Sequence, residues 1–181
     1  IYDPDGIDRE KLDYIMELKN IERGRIREYA EKYGVKYVEG AKPWFEKADI
    51  ATPCATQNEI NEEAAQALVA NGVIAVTEGA NMPSTPEAVE LFQEAGILFG
   101  PTKAANAGGV AVSALEMAQN SMRLFWTKEE VDAHLKRIME DLYRRISAAA
   151  EEYSRKGDLV SGANIAGFKK FADAMLAQGV F

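Results

Sequence analysis

Three segments of the sequence combine small residues with an asparagine carboxamide, a combination that suits the binding of a polar organic ligand. They read PCATQNE at residues 53–59, TEGANMP at residues 77–83 and KAANAGGV at residues 103–110. Small residues let the backbone approach a ligand closely, and a carboxamide offers both a donor and an acceptor. A nicotinamide ring with its ribose needs this mixed complement. Because asparagine and glycine are also common in ordinary loops, the repetition indicates a site more strongly than any one segment does.

Two glycine patterns bear on how a nucleotide would bind. The pair Gly108-Gly109 is predicted to open a helix, whose N–H groups could meet a carboxylate or a phosphate. A dinucleotide-binding fold normally also has a glycine-rich turn after its first strand, with an acidic residue about 20 positions later. No such turn occurs in this sequence.

The sequence offers no convincing general base or nucleophile. His134 falls in a charge-rich predicted helix, where a solvated histidine is a simpler interpretation than a catalytic one. Cys54 has no histidine near it in the sequence that would activate it, and it is interpreted as a small buried filler. Trp44 and Trp126 are most simply packing residues.

The elements that must position the three segments alternate between strand and helix. Apolar strands are predicted at residues 49–52, 73–76 and 97–99, and amphipathic helices at residues 61–70 and 85–95. This alternation predicts an α/β fold with a partial, Rossmann-like, doubly wound parallel sheet. Each segment follows a strand, and ligands of open α/β sheets bind outside the carboxyl ends of the strands. The three segments should therefore meet at one edge of the sheet.

The remaining sequence is predicted to be mostly helical. Residues 7–33 form two helices with a break at Gly24 and an end at Gly34, followed by a β-rich run at residues 35–38. After Pro101 the strands stop. One helix is predicted at residues 108–124, a second starts at a capping box of Thr127 and Glu130, and the last spans residues 164–178.

Composition narrows the partners. The 21 basic and 29 acidic residues give a net charge of −8, which disfavours nucleic acid and suits a cytoplasmic enzyme. One cysteine and one histidine exclude a multi-cysteine or histidine-rich metal site. No run approaches the ~20 apolar residues of a membrane helix, so no membrane association is expected.

Four long motifs resemble glutamate dehydrogenases of the hexameric bacterial type, in the Glu/Leu/Phe/Val dehydrogenase family. They are PCATQNE at residues 53–59, EGANMPSTPEA at residues 78–88, KAANAGGVAVSALEMAQN at residues 103–120 and SGANIAGFKKFADAMLAQGV at residues 161–180. The opening IYDPDG also fits the family's cofactor domain. The resemblance implies interconversion of L-glutamate with 2-oxoglutarate and ammonia, using NADP or NAD, in a homo-oligomer that is a hexamer in the family.

The resemblance also implies residue roles. Ala55 and Thr56 would line the cofactor, Asn81 would contact the nicotinamide ribose, and Asn106 would lie near the nicotinamide and the substrate. Val110 and Ser113 would face the substrate side chain, with Ser113 hydrogen-bonded to its distal carboxylate. No catalytic residue and no metal ligand is expected in this segment.

The same resemblance implies a longer parent protein. We expect residues 1–124 to form an incomplete dinucleotide-binding domain that lacks the first strand, glycine loop and helix. Residues 125–181 should form C-terminal helices, of which the last packs on a substrate domain that carries the catalytic lysine and aspartate. The chain alone is expected to be inactive.

Two alternatives stay open. A related dehydrogenase for branched-chain or aromatic amino acids would need an apolar residue where Ser113 stands. A non-enzymatic oligomerisation or regulatory module would keep the fold without the chemistry.

Overall fold

The computed structural model describes residues 1–179 in two compact units, of which the first is Ile1–Glu46 and the second begins at Lys47. Val180 and Phe181, the end of the segment predicted at residues 125–181, lie outside the described residues. Each unit is built around its own buried apolar residues.

The first unit is a helical pair. Helix α1 spans Arg9–Asn20 and starts at Asp8, whose carboxylate accepts a hydrogen bond from the Lys11 N–H at 2.9 Å. Helix α2 spans Ile26–Tyr33 and ends at Gly34, which adopts the left-handed conformation with φ of 66°. The two predicted helices, their break and the glycine cap are thus confirmed.

The prediction of β structure at residues 35–38 is wrong, because these residues form no strand. Among the described residues of this unit they make only one isolated antiparallel bridge, in which the Tyr2 N–H donates to the Lys36 carbonyl at 2.9 Å. Val38 is 50% exposed, so the apolar character of the run is not used to build a sheet. A 3-10 helix at Pro43–Phe45 then buries Trp44, as expected for a packing residue.

The second unit contains a three-stranded parallel sheet, which confirms the predicted α/β class. Strands β1 (Ile50–Ala51), β2 (Ala75–Thr77) and β3 (Leu98–Gly100) lie side by side in that order. One row of register partners is buried. It consists of Ala51, Val76 and Phe99.

Two capped helices connect the strands. Helix α3 (Glu62–Ala70) starts at Asn61, whose carboxamide oxygen accepts from the Ala64 N–H at 3.0 Å. Helix α4 (Pro86–Glu94) starts at Thr85, with proline in its first turn. Side-chain acceptors satisfy N–H groups that the helix itself leaves unpaired, so these residue types mark both starts in the sequence.

Four helices follow the sheet, of which one was not predicted and the last starts five residues before its predicted start. A short helix α5 (Thr102–Ala105), which the sequence reading missed, precedes α6 (Ala107–Met122). Helix α7 (Lys128–Tyr153) starts at the predicted capping box. Helix α8 (Leu159–Gln178) starts earlier than residue 164, because Asp158 caps it by accepting from the Ser161 N–H at 3.0 Å.

None of the helices within residues 1–179 has the length and apolarity needed to cross a membrane. Helices α7 and α8 instead pack against each other, with Gly162 of α8 buried against α7.

Candidate functional site

The loop after β1 is shaped by a buried carboxylate. Glu59 is 8% exposed, and its Oε1 accepts hydrogen bonds from the backbone N–H groups of Ala55, at 2.9 Å, and Thr56, at 3.2 Å. Ala55 and Thr56 themselves are exposed. The carboxylate therefore folds this loop from within and leaves both predicted cofactor residues on the surface.

Backbone hydrogen bonds join this loop to the loop after β2. The Pro53 carbonyl accepts from the N–H groups of both Gly79 and Ala80 at 3.0 Å, and the Asn58 N–H donates to the Met82 carbonyl at 2.9 Å. Asn58 and Met82 both have positive φ, of 53° and 50°. That region is uncommon for residues other than glycine, so these hydrogen bonds hold the two loops in a specific, unrelaxed shape.

The approach of these two loops depends on a glycine. A Cβ added at Gly79 would lie 2.5 Å from the Cys54 Sγ atom. Cys54 is exposed, so its interpretation as a buried filler is wrong. Its neighbour Pro53 is fully buried instead, which turns the cysteine side chain outward.

A second buried carboxylate joins the loop after β2 to the segment after β3. Glu78 is 4% exposed, and its Oε1 accepts from the Ser84 N–H at 3.2 Å. Its Oε2 accepts from the Thr102 N–H at 2.8 Å and from the Thr102 hydroxyl at 2.6 Å. The Asn106 carboxamide adds a further link by donating to the Ala80 carbonyl at 3.3 Å.

The structure thus brings together the three predicted segments at the carboxyl edge of the sheet. Asn81, which is exposed, lies in a loop bonded on one side to the segment that carries Ala55 and Thr56, and on the other to the segment that carries Asn106. Their parallel strands end at the same edge, which is where ligands of open α/β sheets bind.

The predicted substrate residues lie on the first turns of α6. Val110 is 72% exposed, and Ser113 is exposed one turn later with its hydroxyl donating to the Gly109 carbonyl at 3.3 Å. The Gly109 N–H donates to the Asn106 carbonyl at 3.2 Å. This donor closes the turn between α5 and α6 and is therefore not free to meet an anion, whereas anion binding by the Gly108 N–H stays a prediction.

Sequence reasoning missed the side chains that shape the site. The bonds that fix the loops are made by Glu59, Glu78 and Thr102, whereas the sequence pattern indicated only the carboxamides. A signal existed for both acids, since each stands beside small or apolar residues next to a predicted strand or helix end. A charged residue in such a place is buried only when hydrogen bonds satisfy it.

The one histidine lies in another part of the unit. The His134 ring stacks on Trp126 with centroids 5.3 Å apart, and Arg137 lies 3.0 Å from its Nδ1. His134 is half-buried rather than fully solvated, and it serves the start of α7 rather than the sheet edge. No group of three potential metal-ligating side chains occurs among residues 1–179.

Comparison with known proteins gives this arrangement a family. The sequence model for Glutamate/Leucine/Phenylalanine/Valine dehydrogenase matches residues 1–179. The chain belongs to this dehydrogenase family. The match covers both compact units and all three loops of the site.

Relatives of this chain are named glutamate dehydrogenases. The enzyme of Bacteroides thetaiotaomicron is 67% identical over 180 residues, which are 99% of this chain and 40% of the relative. The NAD(P)-specific enzyme of Xylanibacter ruminicola is 64% identical over 100% of this chain and 41% of its own length. The NADP-specific enzyme of Haemophilus influenzae is 56% identical over 100% of this chain and 40% of its own length. The chain therefore spans about two fifths of the length of these relatives.

Solved structures of the family share the fold. The glutamate dehydrogenase of Plasmodium falciparum superimposes with a TM-score of 0.92 at 47% identity, over 99% of this chain and 39% of that one. A second glutamate dehydrogenase gives a TM-score of 0.91 at 49% identity, over 99% of this chain and 40% of that one.

The sheet edge fits the nicotinamide end of the cofactor that the relatives' names imply. The exposed Asn81 carboxamide and the second N–H and oxygen of the Asn106 carboxamide provide donors and acceptors for ribose hydroxyls and an amide. Residues 53–59 and 77–84 contain no lysine or arginine, and the acids Glu59 and Glu78 are buried. Along these two loops an uncharged, hydrogen-bonding group is therefore better matched than a phosphate, whereas the third segment carries the cation Lys103.

Proposed function

We propose that the complete protein containing this chain interconverts L-glutamate with 2-oxoglutarate and ammonia, using NADP or NAD, and that this chain supplies the nicotinamide side of the site. The observation that carries the proposal is the hydrogen-bonded edge that joins the Asn81 and Asn106 loops, in a chain 67% identical to a named glutamate dehydrogenase. Bound NAD or NADP supplies the hydride acceptor. The residues of this chain bind and orient the reactants.

The cofactor is held through side chains and carbonyl groups in the loop after β1. Glu59 already accepts the N–H groups of Ala55 and Thr56, so these two residues offer the cofactor a methyl group, a hydroxyl group and their carbonyls. Asn81 binds the nicotinamide ribose, and Asn106 lies beside the nicotinamide and the substrate. The bond from Asn106 to the Ala80 carbonyl orients that carboxamide before any ligand arrives.

The substrate side chain meets Val110 and Ser113. The Ser113 hydroxyl now donates to the Gly109 carbonyl over 3.3 Å, a long bond to a neutral acceptor. Rotation of the hydroxyl toward a carboxylate exchanges it for a stronger, charge-assisted bond. A hydroxyl at this position favours glutamate over a branched or aromatic amino acid, because an apolar side chain offers it no charge-assisted bond in place of the bond to Gly109.

The test uses the complete protein and a panel of glutamate, leucine and phenylalanine, followed by the absorbance of the reduced nicotinamide. We expect turnover of glutamate, and we expect Ser113→Ala to raise the KM for glutamate more than tenfold, from the loss of about 2 kcal/mol in a bond to a charged group. Ser121→Ala is the matched control, an exposed serine further along α6. Preferred turnover of leucine, or an unchanged KM for glutamate in Ser113→Ala, would contradict the assignment.

We further propose that residues 1–124 form an incomplete dinucleotide-binding domain, and that residues 125–181 form C-terminal helices of which the last packs on the substrate domain of the complete protein. Ile50 and Leu98, in the second row of register partners of the sheet, are 58% and 69% exposed. On α8, Phe168, Phe171 and Leu176 are 69%, 63% and 79% exposed. Such surfaces support coverage by further protein.

The complete protein is proposed to be a cytoplasmic homo-hexamer, as the resemblance implies, and the chain alone to be inactive. Light scattering on the complete protein, with an activity assay on the 181-residue chain, tests both statements. A monomeric complete protein, or a chain that turns over glutamate alone, would contradict them.

A further inference from the structure

Glu78 is a charged group placed where charge is costly. Glu78 is only 4% exposed. Within residues 1–179 its carboxylate forms no ion pair with lysine or arginine. A buried carboxylate without a cation persists only when hydrogen-bond donors satisfy both of its oxygens. Three donors do so here.

The arrangement of these donors favours glutamate over glutamine at position 78. The Ser84 N–H points at Oε1, while the Thr102 N–H and the Thr102 hydroxyl point at Oε2. Glutamine in this place would present an NH₂ group to one of these donors, because an amide has only one accepting oxygen. The site is therefore built for an acceptor at both positions.

These three bonds connect two of the proposed cofactor loops. Glu78 and Ser84 are the two ends of the loop that carries Asn81, so the bond between them closes that loop. Thr102 is the first residue of α5, whose C-terminal cap is Asn106. One carboxylate thus fixes the shape of the Asn81 loop and its position relative to the element that carries Asn106.

We propose that Glu78 is a positioning residue that sets the spacing between Asn81 and Asn106, and through it the affinity for the nicotinamide nucleotide. The inference rests on the proposed function and deepens it, since it concerns the same site. Glu78 is buried behind the loops and acts through Thr102 and Ser84. The hydrogen bond from Asn106 to Ala80 depends on the same spacing and is lost when the loops separate.

A purely structural role would affect stability alone, so the deciding measurement is binding. The complete protein is compared with Glu78→Gln, Thr102→Val and Thr102→Ser, and with the control Glu90→Gln, which removes an exposed carboxylate from α4. The dissociation constant is measured by nucleotide fluorescence without amino acid, for whichever of NADPH or NADH binds the wild type more tightly. Backbone amide exchange of residues 79–84 and 102–106 is measured without nucleotide.

The positioning role predicts a graded result. Glu78→Gln should weaken binding about tenfold or more, because a charge-assisted bond is replaced by opposed donors. Thr102→Val should weaken binding less, because it removes only the hydroxyl donor, and Thr102→Ser should restore wild-type affinity. Amide exchange should accelerate in both segments of Glu78→Gln, and Glu90→Gln should match the wild type in both measurements.

Two outcomes overturn the inference while leaving the proposed function standing. One is a Glu78→Gln protein that is less stable but binds the nucleotide as the wild type does. The other is a Thr102→Ser protein that binds as weakly as Thr102→Val, and this pair decides the question if Glu78→Gln does not fold. A wild-type protein that binds neither nucleotide overturns the proposed function itself.

Discussion

Gly162 of α8 lies where the helix touches the backbone of α7, and alanine at this position should destabilise the chain. An added Cβ would lie 2.4 Å from the Ile146 carbonyl oxygen and 2.9 Å from the Ala150 Cβ atom. Ordinary C···O contacts lie near 3.3 Å or beyond, so the helices must separate by about 0.9 Å. The carbonyl belongs to a helical backbone and cannot rotate away. Overpacking of this kind costs about 1–3 kcal/mol.

An opposing effect has to be subtracted before the sign is known. Alanine is favoured over glycine within a helix by about 1 kcal/mol, and both Gly162 and Gly167 stand inside α8. A Cβ at Gly167 would meet no atom within 4 Å. We therefore expect Gly167→Ala to stabilise the chain by about 1 kcal/mol and Gly162→Ala to destabilise it by up to about 2 kcal/mol, so that the two variants differ by about 1–3 kcal/mol. The difference between the two variants isolates the steric cost, because the helix preference cancels.

Urea unfolding of the 181-residue chain, followed by far-ultraviolet circular dichroism, measures both free energies of unfolding. The comparison requires that the free energy of unfolding fall with urea concentration at the same slope in all variants. A change in the midpoint then reports a change in stability alone. A Gly162→Ala chain as stable as the Gly167→Ala chain would show that the added Cβ has no steric cost at this contact. Displacement of α8 should also break the hydrogen bond in which the Lys103 Nζ donates to the Asn164 Oδ1 at 2.5 Å.

Two further predictions concern other parts of the chain. Hydrogen bonds from Lys11 and Tyr29 lower the pKa of Asp3, so the stability it contributes is present above about pH 4, the pKa of an unfolded aspartate, and is lost as the pH falls through the lower folded pKa. Urea unfolding at pH 7 and pH 3 should show the difference between wild type and Asp3→Asn shrinking in acid, and a constant difference would contradict this. Thr127→Ala should cost about 1 kcal/mol by removing the capping box with Glu130, whereas Thr127→Ser should not, and equal losses in thermal unfolding would count against the cap.

The fold could be predicted where residue types have local causes. Asn61, Thr85 and Thr127 cap helices with their own side chains, and Gly34 ends one in a conformation that costs glycine little. The run at residues 35–38 shows the limit of this reasoning. Strand formation needs a partner, and a β-rich run offered only one bridge stays out of a sheet.

The position of the site followed from topology. Parallel strands end at one edge, so three segments that follow strands had to meet there, and the hydrogen bonds among the loops confirm that they do. Topology did not predict which individual side chains are buried. Cys54 lies outside because Pro53 fills the buried position, and sequence alone does not say which of two neighbours turns inward.

The asparagine pattern in the sequence identifies candidate ligand-binding residues. It does not identify the residues that hold those asparagines in place. In the proposed site, Asn81 and Asn106 bind a nicotinamide only if their loops hold one spacing, to which the asparagines contribute one neutral bond, from Asn106 to the Ala80 carbonyl. In the proposed role, Glu78 fixes this spacing through a carboxylate that accepts from two backbone N–H groups and from the Thr102 hydroxyl. A loop rich in small residues loses much conformational entropy on ordering, and buried, charge-assisted bonds are among the few interactions strong enough to offset that loss. An acid beside a carboxamide loop is therefore expected to be as necessary for binding as the carboxamide.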